Sequence, residues 1–366
     1  MANPTVYTLK ESGGDYDSLT NVFTQLSTLI GNGLADDYVI EVEGGKTFGS
    51  LPTDTYTTSA AGNRFFNGHY IKFITAPDDL ATPATLRGNY EFNGQTVDEG
   101  TIRFENLILE VQDKELINLG QGTAGGISRI GEIVNCRVFQ HLDGGGYLFN
   151  AESGRVPSAA SHLTNSSWFT TSSTINITEL SVVSQIASDI PSCVRNSIIA
   201  TYSTQAINLV MHVSPSFDSV LYNYGAGTLA FSGVGGATES NVADNTDPQL
   251  AVNVVQGFDE LAATMSARDD QAASSSSYIV GTANATYAPA IDILNIERPQ
   301  GTGDDIGPYE LVSSAPAPAP VITTGNQAKH AAKIGTRARD VDPPGRLGND
   351  ARSSEVSNKG RRKIGE

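Results

Sequence analysis

The residues of this chain that could do acid–base chemistry are few and scattered. His141 and Asp143 stand just before three consecutive glycines and form the most site-like cluster. A histidine beside a carboxylate can act as a general base. A glycine-rich turn with polar residues is also what a short connection between strands needs. The cluster is therefore interpreted as a turn, and we expect no catalytic residue in it.

The other ionisable residues lack the spacing that catalysis or metal binding requires. His69, His162 and His212 show no metal-ligand pattern. The two cysteines, Cys136 and Cys193, are expected to be reduced and buried. Adjacent aspartate pairs begin at residues 36, 78, 269 and 304, and neighbouring side chains in a strand point to opposite faces. We expect solvated turns at these pairs, and no metal or cofactor.

Four asparagines recur at nearly constant spacing and indicate how the chain folds. Each follows an apolar residue and one further residue, and the steps between them are 29, 30 and 31 residues; they are Asn106, Asn135, Asn165 and Asn196. A fixed period of this length is typical of a repeat architecture in which stacked coils bury a shared core. Asparagine tolerates the left-handed backbone of a bend, and stacked coils can join their amides into a ladder. Ser219 takes the same place in a weaker fifth copy.

Composition and apolar spacing support an all-β solenoid with a helix at its start. The chain has 366 residues, 37 glycines and only 17% charged residues, which suits many short strands and tight turns. After Asp17 or Ser18 as a cap, apolar residues from Leu19 to Ile30 follow helical spacing, and this helix would cover the first coil. The sequence divides into a strand and capping helix (1–37), a body (38–312), a Pro/Ala-rich linker (313–324) and a basic arm (325–366).

Two motifs resemble those of right-handed parallel β-helix proteins found in bacteria and in tailed phages. The opening motif is SGGDYDSL at residues 12–19, and the closing motif is RPQGTGDDIGPYE at residues 298–310. The resemblance implies a right-handed parallel β-helix whose last coil holds the closing motif. It implies little about activity. Asn245-Thr246-Asp247 is similar to one part of the pectin-hydrolase signature, but the other parts have no match, so we expect no enzymatic activity.

The arm differs from the body in charge. Ten lysines and arginines face five acidic residues, so the arm carries +5 and the rest of the chain −22; the ten are Lys329, Lys333, Arg337, Arg339, Arg346, Arg352, Lys359, Arg361, Arg362 and Lys363. The arm has few large apolar residues and cannot form a core of its own. Its charge predicts binding to an acidic protein surface, to nucleic acid or to its own body.

Three classes of function fit these patterns. The first is a virion structural protein of a tailed phage, in the capsid or the tail, assembled in the host cytoplasm as a homo-oligomer and anchored to other virion proteins by the arm. The second is a tailspike-like protein that binds or degrades carbohydrate, with a host surface glycan as partner. The third is a bacterial surface protein. The sequence has no run of 18 apolar residues and no visible secretory signal, so we expect no membrane association.

Overall fold

A computed structural model of the 366-residue chain describes fourteen stretches: residues 3–58, 66–92, 98–112, 115–119, 127–141, 146–150, 158–171, 179–184, 193–201, 207–210, 216–223, 229–232, 238–244 and 280–312. In these stretches the chain forms parallel strands and one α-helix. The elements are β1 (Thr5–Leu9), α1 (Leu19–Asn32), β2 (Tyr38–Val42), β3 (Thr47–Phe48), β4 (Thr55–Thr57), β5 (Tyr70–Thr75), a 3-10 turn (Pro77–Asp79), β6 (Ala84–Arg87), β7 (Asn89–Glu91), β8 (Asp98–Glu105), β9 (Leu107–Val111), β10 (Glu115–Asn118), β11 (Ile127–Val134), β12 (Arg137–His141), β13 (Gly146–Asn150), β14 (Ser158–Thr164), β15 (Ser167–Thr171), β16 (Glu179–Ser184), β17 (Cys193–Thr201), β18 (Ile207–Val210), β19 (Ser216–Asn223), β20 (Leu229–Ser232) and β21 (Thr238–Asp244).

The strands stack into three parallel faces, so the predicted parallel β-helix fold is confirmed. Face one contains β2, β5, β8, β11 and β14; face two contains β3, β6, β9, β12 and β15; face three contains β4, β7, β10, β13 and β16. The long strand β17 joins faces one and two, because its first residues pair with β14 and its last with β15. Each coil thus contributes one strand to each face.

The interior is formed by alternate residues of the strands. Phe73 of β5 and Phe104 of β8 are opposite each other in register, and their rings stack 5.0 Å apart. Ile133 and Leu163 continue the same row in the next coils and are fully buried. Trp168 is also buried, and its indole Nε1 donates to Gln140 Oε1 at 3.0 Å. Apolar side chains at period two therefore hold the coils together.

The predicted helix is present and covers the first coils. Ser18 is the residue that caps it, because its hydroxyl oxygen accepts a hydrogen bond from the Asn21 amide at 3.3 Å. The helix buries one apolar face, in which Phe23 packs against the rings of Phe73 and Tyr90 at about 6 Å. This face closes the apolar interior at one end of the solenoid.

The opening motif protects the exposed edge of β1. The Asp15 carboxylate accepts hydrogen bonds from the amide and the hydroxyl of Thr8, at 2.8 and 2.9 Å. The Tyr16 amide donates to the Thr8 carbonyl, and the Lys10 amide donates to the Tyr16 carbonyl. A free strand edge is a template for pairing with other chains, and these bonds occupy part of it. The motif thus has a structural role at the start of the solenoid.

The closing motif does not form a last coil. Residues 280–312, hereafter the C-terminal segment, are described throughout and contain no strand, only one isolated bridge between Ile291 and Glu297. The segment lies against the bends between faces one and two, where the Gly307 amide donates to the Asn196 carbonyl at 2.8 Å. The expected terminal coil is therefore replaced by a segment that crosses several coils.

Candidate functional site

Several residues singled out in the sequence lie outside the described part of the chain. These are Asp143, His212, Asp247, the aspartate pair at residues 269 and 270, the side chain of His141 and the whole basic arm with its ten lysines and arginines. The four repeated asparagines are all described, and so are the aspartate pairs at residues 36, 78 and 304.

The asparagines stand at equivalent bends between face one and face two. Asn106, Asn135, Asn165 and Asn196 have φ angles of 54°, 54°, 47° and 47°, in the left-handed region, and all four are buried. Asn135 Nδ2 donates to Asn106 Oδ1 at 2.6 Å, and Asn196 Nδ2 donates to Asn165 Oδ1 at 3.2 Å. Asn135 Oδ1 and Asn165 Nδ2 make no hydrogen bond to the described residues, so the ladder has a gap between its second and third members.

This column begins one coil earlier than the asparagine pattern indicates. The pairing of β5 with β8 places Thr75 opposite Asn106, and the Thr75 hydroxyl donates to the Asn106 carbonyl. In the later coils the backbone register places Ser219 opposite Asn196, as the fifth copy predicts, and Asn241 opposite Ser219. Thr75 and Asn241 were missed because the residues around them depart from the repeated pattern.

The C-terminal segment docks on this column and covers part of face two. Asn196 exchanges two hydrogen bonds with the backbone of Asn284, at 2.7 and 2.9 Å, and Asn135 Nδ2 donates to the Ile291 carbonyl at 3.3 Å. The guanidinium of Arg137, on β12, lies 5.4 Å from the ring centre of Tyr309. The C-terminal segment therefore shields Arg137 of face two from solvent.

The carboxylates of the C-terminal segment are buried and bind backbone amides. Asp292 accepts from the amides of Leu294 and Ile296 at 2.8 Å and from that of Glu310 at 3.1 Å. Asp305 accepts from the amides of Gly281 and Leu311, both at 2.7 Å. The expectation that the pair Asp304-Asp305 forms a solvated turn is wrong, since both residues are buried. Their burial is possible because backbone donors from distant parts of the segment meet Asp305 there.

One buried arginine lies among these carboxylates. Arg298 donates to the carbonyls of Asp305 and Gly307 at 2.8 Å, and its Nη1 lies 3.5 Å from Glu310 Oε2. Burial raises the pKa of Asp305 and of Glu310 above the ordinary values, although Arg298 and the backbone amides oppose this shift. Burial likewise lowers the pKa of Arg298. Because these buried groups bind one another and the backbone of the same segment, we interpret the cluster as structural.

Face one, in contrast to the covered face two, presents a row of charged side chains. In register, Lys72 of β5 lies beside Arg103 of β8, which lies beside Glu132 of β11 and then His162 of β14. Each stands three places before a member of the asparagine column, so the row repeats with the same steps of 31, 29 and 30 residues. The repeat therefore contained a signal for this row. The row is not visible when ionisable residues are considered one at a time, because its members differ in charge.

Ion pairs hold this row in place around a shallow depression of 460 Å³. Arg103 Nε lies 2.8 Å from Glu105 Oε2, and Arg103 Nη1 lies 3.2 Å from Glu132 Oε2. Lys72 Nζ lies 3.5 Å from the same oxygen of Glu105. We call this site the charged depression; it is lined by Tyr70, Lys72, Thr101, Arg103, Glu105 and Glu132. Salt bridges between half-buried side chains limit rotamer freedom, so the polar groups are positioned before a ligand binds.

His162 extends the row beyond the charged depression. Burial lowers its pKa, and Glu132 and Arg195 act on it in opposite directions. Its Nδ1 is buried without a hydrogen-bond partner in the described part of the chain. Beside it in register is Cys193, whose sulfur accepts a hydrogen bond from Arg195 Nη2 at 3.1 Å. Both cysteines are buried thiols, and burial raises the pKa of Cys136 to about 12.

A second cavity of 730 Å³ lies between helix α1 and strand β4. Its walls are mostly hydroxyl groups, and Asp54 is its one carboxylate among the lining residues. The helix hydroxyls of Thr24, Ser27 and Thr28 donate to carbonyls one turn earlier, at 2.7 to 3.3 Å. Because these donors are already used inside the helix, the groove offers few groups that could orient a ligand.

The described residues contain no cluster of three or more His, Cys, Asp or Glu that could hold a metal ion. In the same residues, no helix is both long and apolar enough to span a membrane.

Asp37, from the first aspartate pair, contacts His69 Nδ1 at 3.1 Å and the Tyr70 amide at 3.2 Å. This pair of side chains links two neighbouring coils of face one.

Comparison with known proteins corrects one expectation. No family model matches the chain, and no curated protein matches it. A solved structure that is similar is the deglycosylated pectin methylesterase from Aspergillus niger, at 10% identity over 68% of this chain and 89% of that chain, with a TM-score of 0.33. The expectation of a protein without enzymatic activity is wrong on this comparison, because the similar structure is an enzyme. At this level of likeness, no activity or substrate is assigned to the present chain.

Proposed function

We propose that this protein is a tailspike-like β-helix protein that binds carbohydrate through the charged depression of face one. The observation that carries the proposal is the set of ion-paired, half-buried side chains that lines the depression on face one, namely Lys72, Arg103, Glu105 and Glu132. Charged groups with fixed positions offer both donors and acceptors to sugar hydroxyls.

The shape of face one favours a polymer over a small ligand. Neighbouring strands stand about 4.8 Å apart, so one row of side chains crosses successive coils as a regular track. The row from Lys72 to His162 spans four strands, and the depression lined by its first members is open to solvent. A chain of sugar residues can follow such a track and gain affinity from repeated weak contacts.

Binding of the purified full-length protein to immobilised polysaccharides tests this proposal. Arg103→Ala removes the guanidinium that bridges both carboxylates, and we expect it to weaken binding at least about tenfold, or about 1.4 kcal/mol. Lys46→Ala is the matched control, because Lys46 forms an exposed ion pair with Glu11 away from the depression. Equal binding by wild type and Arg103→Ala would contradict the proposal, as would no binding to any polysaccharide. Reducing ends released in the same incubations distinguish binding alone from cleavage.

The location that we propose is the virion of a tailed phage, with the basic arm of residues 325–366 as the anchor to other virion proteins. The resemblance of the opening and closing motifs supports this location, and so does the charge of +5 on the arm beside −22 on the rest of the chain. Deletion of residues 321–366 should abolish incorporation into particles, measured by mass spectrometry of purified virions. Normal copy number of the truncated protein would contradict an anchoring arm, and detection on bacterial surfaces instead would favour a surface protein.

A further inference from the structure

The charged depression has no net charge. It contains two cations, Lys72 and Arg103, and two carboxylates, Glu105 and Glu132, and each cation contacts a carboxylate at 2.8 to 3.5 Å. Tyr70 and Thr101 complete its lining without adding a charge at neutral pH. A site for a polyanion would be expected to present unpaired cations, as phosphate and carboxylate sites do.

The ion pairs leave some donors and acceptors of these four groups unused. Within the described residues, Arg103 Nη1 donates a hydrogen bond to Glu132 Oε2, whereas Arg103 Nε lies 2.8 Å from Glu105 Oε2 without forming a hydrogen bond. Arg103 Nη2 and the Oε1 atoms of Glu105 and Glu132 take no part in these ion pairs. Donors and acceptors thus alternate along the series of ion pairs that runs from Lys72 through Glu105 and Arg103 to Glu132. Two adjacent hydroxyl groups of a sugar each donate and accept, so they can bridge a guanidinium nitrogen and a carboxylate oxygen at once.

The negative charge of residues 1–324 also disfavours the binding of polyanions. Residues 1–324 carry a formal charge of −22, which repels polyanions at the distances over which charges act in dilute salt. A neutral polymer does not meet this barrier. The local and the overall electrostatics therefore select against the same class of ligand.

We infer that the charged depression recognises a neutral polysaccharide with adjacent free hydroxyl groups and rejects acidic polysaccharides. This inference rests on the proposed carbohydrate-binding function and names its substrate class. Specificity follows from paired charges, because a carboxylated sugar would have to approach Glu105 and Glu132 or displace them from Arg103.

The experiment compares binding to neutral polymers, dextran and galactomannan, with binding to acidic ones, polygalacturonate and alginate, at 20 mM and 200 mM salt, two levels chosen to span roughly the range in which screening changes. We expect binding to at least one neutral polymer that changes less than about twofold with salt, and binding to the acidic polymers at least about tenfold weaker. Binding to an acidic polymer that requires Arg103 would overturn the inference and leave the proposed function standing. Binding to none of the polymers would overturn both.

An isosteric substitution sharpens the test. Glu132→Gln removes one negative charge and releases Arg103 Nη1 from its ion pair, so the depression gains a net positive charge. We expect weaker binding to the neutral polymer and stronger binding to the acidic polymers. Glu11→Gln is the control, since Glu11 is also ion-paired but lies outside the depression. An unchanged preference in Glu132→Gln would contradict selection by paired charges.

Discussion

Faces one and two of the solenoid are built from the same coils and meet solvent in opposite ways. On face two, the outward residues Arg137, Phe139 and Phe169 are buried, and Tyr309 of the C-terminal segment lies over Arg137. On face one, Arg103 and its partners are paired with one another, and the side chain of Arg103 is 34% exposed. Arg103 and Arg137, on different faces of one solenoid, thus have different roles.

The difference teaches how a repeat protein separates stability from recognition. The covered face depends on buried carboxylates that bind backbone amides, and leaving such donors unpaired is costly. The open face depends on surface ion pairs, which contribute little to folding and are therefore available for binding. Substitutions on face two and in the C-terminal segment should change stability, and substitutions on face one should change ligand binding.

Asp292→Ala should have the largest effect on stability. The Asp292 carboxylate accepts three hydrogen bonds from the amides of Leu294, Ile296 and Glu310 and is buried. Removal leaves these donors unpaired, and we expect a loss of about 4 kcal/mol in the free energy of unfolding, measured by urea denaturation.

Asp15→Ala is the matched control for this prediction. Asp15 also accepts hydrogen bonds from a backbone amide and a hydroxyl, both of Thr8, but it is exposed. Water can replace the lost carboxylate there, so we expect a loss of about 1 kcal/mol. Equal losses of unfolding free energy in the two variants would show that the burial of Asp292 does not increase its contribution to stability.

Asn135→Leu should have the next largest effect. Asn135 combines a left-handed backbone with a ladder hydrogen bond to Asn106 and a hydrogen bond to the Ile291 carbonyl. We expect a loss of about 3 kcal/mol. Asn295→Leu isolates the strain, since Asn295 is exposed and has a φ of 64°, and should lose about 1 kcal/mol. If Asn135→Leu and Asn295→Leu lose the same free energy of unfolding, the hydrogen bonds of the asparagine column add nothing to stability.

The periodic features of this fold could be predicted from the sequence. The capping helix and the bends at the asparagines follow from local spacing and from residue type. These features repeat, so several copies support one interpretation. The row of Lys72, Arg103, Glu132 and His162 also repeats, three places before the column, but its members differ in charge and no single residue type marks it.

The C-terminal segment could not be predicted in the same way. Its motif has turn residues and an aspartate pair, which indicate a solvated loop when only neighbouring residues are considered. The burial of Asp305 depends on amides at Gly281 and Leu311, and the position of the segment depends on Asn196, 88 residues before Asn284. Contacts at such separations leave no periodic trace in one sequence.

Two groups should make stability depend on pH with opposite signs. The pKa of Asp305 is raised on folding, so the folded state holds its proton longer and stability falls as pH rises above about 4. The pKa of His162 is lowered, so the unfolded state binds its proton first and stability falls as pH drops below about 6.5.

Urea denaturation at roughly pH 4.5 to 7.5 separates the contributions of Asp305 and His162 to stability. The stability difference between wild type and Asp305→Asn should shrink as pH rises, and that between wild type and His162→Gln should grow. If both stability differences change with pH in the same direction, the C-terminal segment and face one do not differ in the pH dependence of their contribution to stability.

Arg103→Ala should have the smallest effect on stability although it has the largest expected effect on binding. Without Arg103, Glu105 keeps Lys72 at 3.5 Å, and Glu132, with 24% of its side chain exposed, can be solvated. Exposed ion pairs contribute about 0 to 1 kcal/mol, so we expect the free energy of unfolding to change by less than about 0.5 kcal/mol. A loss above about 2 kcal/mol would place Arg103 in the same class as Asp292, as a residue that holds the coils together. The contrast between a covered face that stabilises and an open face that binds would then be wrong.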